Sequence, residues 1–208
     1  MIPKTATLGA ILEATGERAF CAGADILVWT ALSPLVMWSE WVCRGHRIFD
    51  RVERARQPVL CAIQGFAYRG GLELASACDL RIASDSARFA MPEVRLGDVP
   101  GWGGTDRLPK LVGSARGKQM IFSGEPITAD VAERWGLANE IAPAASLSDH
   151  VTALAQKICS NAPVAVQTAK QLIAHFSSAA LESLAAAVNA SSDDVKEGLA
   201  AFREKRLP

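Results

Sequence analysis

The run Pro58-Val59-Leu60-Cys61-Ala62-Ile63 constrains the fold more than any other part of the chain, because of its setting. A glycine-containing turn over 65–71 comes directly after it, and then the helical-looking segment Leu72 to Cys78. An apolar run without polar alternation describes a strand covered on both faces, which belongs to a sheet with packed layers on each side. Leu8 to Ala14 repeats the pattern as a second short apolar run, closed by Thr15-Gly16 and expected as a buried strand. Leu80 to Ala83 and Arg88 to Ala90 add two short strands around the polar link Ser84 to Ala87.

Helical patterns fill the intervals. Ser33 suits an N-cap with Pro34 at the first helical position, and a helix is expected from there to about Arg56, stopped by Pro58. A glycine-rich turn covers Gly97 to Gly104. Helices are expected around Gly117 to Phe122 and over Ala129 to Trp135 with Thr128 as N-cap, then a strand over Ala138 to Ile141. Strand, turn and helix repeated in this way predict an α/β core. From Leu147 the strand signals stop. Leu147 to Cys159, Pro163 to His175, Ala179 to Val188 and Val195 to Arg206 read as helices, the last capped within Ser191 to Asp194. The change near Pro143 divides the chain into an α/β core, 1–143, and a helical region, 144–208.

Charge excludes some functions. The 208 residues carry 22 Lys and Arg against 22 Asp and Glu, a formal balance of zero, which argues against nucleic acid or an anionic membrane as the main partner. No apolar stretch reaches membrane-spanning length, and the first residues lack the basic start and cleavage site of a secretory signal. Five cysteines, an odd number with no C-x-x-C pair, indicate neither a disulfide framework nor a zinc site, and fit a reducing, cytoplasmic setting. Cys61 and Cys78 read as small core residues. His46, His150 and His175 lie far apart and read as solvated helix positions, so no metal site is expected.

Two glutamates stand out by context. Glu73 follows Gly70-Gly71-Leu72 at a helix start, and Glu93 follows Met91-Pro92 just before the 97–104 turn. Burial of such carboxylates raises their pKa and suits them to acid–base work near neutrality. From spacing alone the commoner explanation is a pair of helix N-terminal glutamates complementing the macrodipole. The small-residue turns Phe20 to Asp25 and Arg69 to Gly71 enter helices and leave N–H groups free, so two amides from different turns can meet one developing oxyanion. Neither turn has the spacing of a phosphate-binding loop.

Taken in order, three blocks carry a resemblance: Phe20-Cys21-Ala22-Gly23-Ala24-Asp25-Ile26, Gly70-Gly71-Leu72-Glu73-Leu74-Ala75 through Cys78-Asp79, and Pro92-Glu93-Val94-Arg95-Leu96-Gly97 to Gly104. With Arg107-Leu108-Pro109, Gly113, Ser123-Gly124, Ala132, Gly136-Leu137 and Phe202-Arg203-Glu204-Lys205-Arg206, they resemble the enoyl-CoA hydratase/isomerase (crotonase) superfamily over nearly the whole chain. The resemblance implies a spiral of β-β-α turns with C-terminal helices that mediate homotrimers, often paired into hexamers. It implies stabilisation of a thioester enolate by two backbone amides, here Ala24 and Gly70. By similarity Glu93 exchanges the proton at the substrate α-carbon, and Glu73 orients and activates water for the β-carbon. Ala22, Asp25 and Ile26 would lie along the CoA, with Phe202 and Lys205 contacting it from the same or a neighbouring subunit.

The activity implied is hydration of a 2-enoyl-CoA thioester, with CoA arriving as part of the substrate and no separate cofactor. Two glutamates favour hydratase over isomerase, since a double-bond shift needs only one base. Alternative readings are an isomerase, a dehydratase or hydrolase for polar acyl-CoAs, or an impaired CoA-binding subunit on the same fold. Arg69 departs from the family's small residue beside Gly70 and is expected either to bind a polar acyl or pantetheine group or to point to solvent. Trp102 is bulky for its turn, either narrowing the acyl pocket or packing in the core, and Asp98 is a third carboxylate or a turn residue. The family's usual N-terminal hairpin and helix have no counterpart before Leu8, which would leave a sheet edge unpaired.

Overall fold

The computed structural model describes residues 8–174 and 178–207. Eight strands form two four-stranded sheets: β1 Ala10–Leu12, β2 Ala19–Cys21, β3 Val59–Ile63, β4 Phe66–Tyr68, β5 Leu80–Ser84, β6 Arg88–Ala90, β7 Ile127–Thr128 and β8 Glu140–Ala142. One sheet runs β1-β3-β5-β8 and is parallel throughout; the other runs β2-β4-β6-β7, with only the β6–β7 pair antiparallel. Each turn of the chain therefore places one strand in the first sheet and the next in the second before a helix brings it back. This is the spiral of β-β-α turns that the resemblance implies.

The first turn closes with α1 Ile26–Thr30, α2 Pro34–Val36, a π-helical segment Met37–Val42 and α3 Cys43–Glu53. Ser33 caps α2 as expected, its hydroxyl accepting from Val36 N–H. The second turn closes with α4 Gly70–Ala77. The third continues through a 3₁₀ segment, Pro92–Leu96, into α5 Gly104–Val112 and α6 Ser114–Ser123, and α7 Ala129–Trp135 links β7 to β8. After β8 the elements are helical: α8 Leu147–Cys159, α9 Pro163–Ala174, α10 Ala179–Ala190 and α11 Asp193–Glu204, with a 3₁₀ turn before α8. His175 lies outside the described residues. No helix among the described residues is long and apolar enough to cross a membrane.

β3 explains why its sequence is an unbroken apolar run. Side chains alternate across a strand, so Cys61 and Ile63 enter the main core with Leu72, Phe89 and Leu108, while Leu60 and Ala62 enter a second core with Ile82, Leu147 and Val151 beneath α8. Burial pushes the Cys61 thiol up, keeping it a small apolar residue. Lys170 of α9 ties the helical region to this strand, its Nζ donating to Asp79 Oδ2 at 2.6 Å and to Gln57 O at 3.0 Å.

Several expectations are corrected. β1 is an edge strand with Ala10 and Ile11 exposed, because among the described residues only β3 pairs with it. The segments read as turns at 20–25 and 65–71 contain parts of β2 and β4. α5, for which the sequence carries no expectation, forms despite Pro109 in its interior, since Leu108 and Val112 bury against the core. Thr128 is the N-cap residue of α7 without a side-chain cap bond; its hydroxyl contacts Asp130 Oδ2 instead.

Candidate active site

Strands β2, β4 and β6 are adjacent and parallel, so the chain leaves their carboxyl ends side by side, about 4.8 Å per strand apart. Ala24 follows β2, Arg69 and Gly70 follow β4, and Glu93 follows β6. Parallel sheets commonly hold ligands at this end. Here the exits open onto a cavity of about 310 Å³ whose lining includes Ala24, Arg69, Gly70, Glu73 and Glu93. Trp29, Met37, Trp41, Val42 and Trp102 make much of the rest apolar, and three of the chain's five tryptophans are among the lining residues.

α4 seats deeply against β2 because Gly71 has no side chain: a Cβ there would fall 2.0 Å from Cys21 O. The same approach brings Gly70 and Ala24 together, an ideal Cβ on Gly70 lying 3.8 Å from the Ala24 nitrogen. Neither the Ala24 nor the Gly70 N–H has an acceptor among the described residues. Gly70 is the first residue of α4, where helical geometry leaves N–H groups without intrahelical partners.

Glu73, one turn into α4, is 2 % exposed, and Glu93, in the 3₁₀ segment, is 8 % exposed. Glu73 Oε1 accepts from Trp102 N–H at 2.7 Å and Gly104 N–H at 2.8 Å. Burial raises its pKa, and those two amides, with His46 and Arg107 nearby, pull against the rise. Glu93 has less support: Oε2 is buried without a hydrogen-bond partner among the described residues. Burial first, and then repulsion from Glu73 and Asp98, carry its pKa from 4.5 to about 7, against a backbone hydrogen bond and Arg69. Both carboxylates in the cavity thus have raised pKa values, Glu93 to about 7 by burial and like charge, and Glu73 against the opposing pull of two amides.

The turn that binds Glu73 is itself clamped. Arg107, buried in α5, donates through Nη1 to Trp102 O at 2.9 Å, through Nη2 to Asp50 Oδ1 at 2.5 Å, and through Nε and Nη2 to Glu53 Oε2 at 3.0 and 2.8 Å. The Trp102 indole meets Phe49 edge-on at 5.5 Å and lies across Gly45, where a Cβ would come within 2.1 Å of the ring. Trp102 therefore both packs and narrows the cavity.

Of the residues expected from sequence, Ala24, Ile26, Gly70, Glu73 and Glu93 line the cavity. Ala22 is exposed, and the Asp25 carboxylate is engaged as the N-cap of α1, accepting from Leu27 N–H at 2.9 Å. Phe202, 83 % exposed, and Lys205 lie at the end of α11 and do not line it. Asp98 lines the cavity, its side chain exposed. Arg69, for which a ligand contact and solvent are both open in the sequence, and His46, read as a solvated helix position, both lie at the cavity. Arg69 lines the cavity because its Cβ and Cδ rest on Gly23. His46 also lines it, half-buried on α3; the extra residue of a π-helical turn rotates the succeeding helix by about 100°, and Met37–Val42 immediately precedes α3.

The enoyl-CoA hydratase/isomerase family profile matches residues 4–208. The chain is 42 % identical to a short-chain-enoyl-CoA hydratase of Clostridium acetobutylicum over 96 % of this chain and 78 % of that protein. It is 38 % identical to a crotonyl-CoA hydratase of Syntrophomonas wolfei, over 94 % and 77 % respectively. The crystal structure of an enoyl-CoA hydratase from Bacillus anthracis superposes with a TM-score of 0.94 at 38 % identity, covering 99 % of this chain and 82 % of that one. A cavity at the carboxyl ends of β2, β4 and β6, on a β-β-α spiral matched along its length, places the chain in the enoyl-CoA hydratase/isomerase family.

Proposed function

We propose that the chain hydrates 2-enoyl-CoA thioesters to 3-hydroxyacyl-CoAs, using the free amides of Ala24 and Gly70 and the two glutamates. The observation that carries this reading is the convergence of two unpaired N–H donors and two differently perturbed carboxylates on one apolar cavity. The β-carbon of an enoyl thioester becomes electrophilic as negative charge moves onto the thioester oxygen. Two fixed donors in a dry site lower that barrier by about 3–4 kcal/mol each at the upper end. Glu73, with Oε1 held by two amides, accepts a proton from water as its oxygen bonds to the β-carbon. Glu93 delivers its proton to the α-carbon, and a proton passing between the two carboxyls restores the starting state.

These steps use only the chain, the thioester and water. CoA contacts by Ala22, Asp25, Phe202 and Lys205 belong to the same reading, as does a reducing, cytoplasmic setting. So does assembly into trimers or hexamers, which would cover exposed apolar residues of the helical region such as Leu184, Val188 and Phe202. The test is loss of the conjugated-thioester absorbance of crotonyl-CoA. Glu73→Gln and Glu93→Gln should each lower kcat by roughly 10²- to 10⁴-fold with unchanged circular dichroism. Near-wild-type turnover by either variant removes its residue from the mechanism, and accumulation of a double-bond isomer from 3-enoyl-CoA in place of the hydroxyacyl product would favour isomerase.

A further inference from the structure

The hydration chemistry leaves Arg69 without a task. Its backbone stands at φ 52°, ψ −130°, a conformation glycine adopts freely and other residues hold only under strain. The fold fixes it there: its N–H donates to Ala90 O at 3.0 Å, and its carbonyl accepts from the N–H groups of Leu72 and Glu73. With Cβ and Cδ against Gly23, the side chain lies along the wall shared by Gly70 and Glu93.

The guanidinium acts on Glu93 through space but forms no ion pair with it. Nε is buried without an acceptor, and no Arg69 side-chain hydrogen bond or ion pair occurs among the described residues. Of the acids lining the cavity, Glu73 is committed to Trp102 and Gly104, and neither Glu93 nor Asp98 bonds to Arg69. A half-buried cation without a hydrogen-bonded partner in a largely apolar cavity is an unfavourable arrangement that an anionic ligand would relieve. Arginine's planar fork matches carboxylate and phosphate oxygens.

We infer that Arg69 determines specificity, its guanidinium docking an anionic oxygen group of the substrate, and that the preferred substrates are 2-enoyl-CoA thioesters whose acyl chain ends in a carboxylate. The acyl chain is the source the geometry favours. Arg69 adjoins Gly70, whose amide receives the thioester oxygen, whereas the CoA phosphates sit at the far end of the pantetheine arm. This inference rests on the enoyl-CoA reading above.

Calorimetry with the saturated thioesters glutaryl-CoA and butyryl-CoA reads the contact without requiring chemistry. Wild type should bind glutaryl-CoA about 10- to 100-fold more tightly than butyryl-CoA. Arg69→Gly, which suits the backbone conformation, should abolish the preference, and Arg69→Lys should keep part of it. The ratio of kcat/KM for glutaconyl-CoA over crotonyl-CoA should fall in Arg69→Gly by a similar factor. Equal affinities in wild type, or a preference surviving in Arg69→Gly, overturns the inference. A loss shared equally by both CoA thioesters and absent with their pantetheine counterparts also overturns it, because the anion is then a CoA phosphate. If wild type hydrates neither enoyl thioester, the enoyl-CoA reading fails, and the binding ratio still decides for or against Arg69.

Discussion

The cavity has two charged regions, its two walls, built on opposite plans. Around Glu73, two backbone amides hold Oε1, and the turn supplying them is gripped by Arg107, whose guanidinium is matched by Asp50, Glu53 and a carbonyl. Around Glu93, neither its buried Oε2 nor the nearby Arg69 Nε has a hydrogen-bond partner among the described residues. Both walls come from the same spiral and sit in the same low-dielectric space. The difference shows that burial alone does not define a carboxylate's role: Glu73 is fixed in place by its donors, while Glu93 and Arg69 await a proton or a ligand.

Titration tests the contrast between the walls directly. Glu93's folded pKa of about 7 lies above the ordinary 4.5, so its contribution to stability is fully present below pH 4.5 and is lost as pH rises to about 7. That displacement corresponds to about 3 kcal/mol. Glu93→Gln should therefore match wild type near pH 4 apart from a constant offset, and gain on it by up to about 3 kcal/mol by pH 8 in denaturant melts. A flat difference would mean the two walls are not electrostatically distinct. On the satisfied wall the sign reverses. Arg107→Leu leaves Asp50 and Glu53 without their cation and frees the Trp102 carbonyl, costing about 2 kcal/mol after allowance for the partial exposure of both acids. Its kcat should fall with it, since the turn holding Glu73 loosens. The smallest effect is on the open wall: Arg69→Gly should raise stability by about 1 kcal/mol by removing the strain at φ 52°, seen as a higher Tm.

Much of this was legible in the sequence, for identifiable reasons. β3 declares itself because both its faces are buried, and Glu73, Glu93, Ala24 and Gly70 sit in blocks that glycines and prolines punctuate. β2 and β4 were hidden because three-residue strands beside glycines owe their conformation to partners far along the chain: Ala19 pairs with Phe66, and Phe66 with Arg88. α5 was masked by Pro109, whose local preference is outweighed by burial of Leu108 and Val112. The cavity-facing positions of His46 and Arg69 depend on a π-helical segment and a positive φ, neither of which leaves a periodic trace in sequence.

Ala24, Gly70 and Glu93 each follow a strand of a different turn of the spiral. No single turn contains a working set of groups, so a partly assembled chain has no diminished version of the site. Chemistry switches on only when three successive turns are stacked in register. Catalysis in such a molecule reports the cooperativity of its folding, and an intermediate that has laid down two turns is as silent as the unfolded chain.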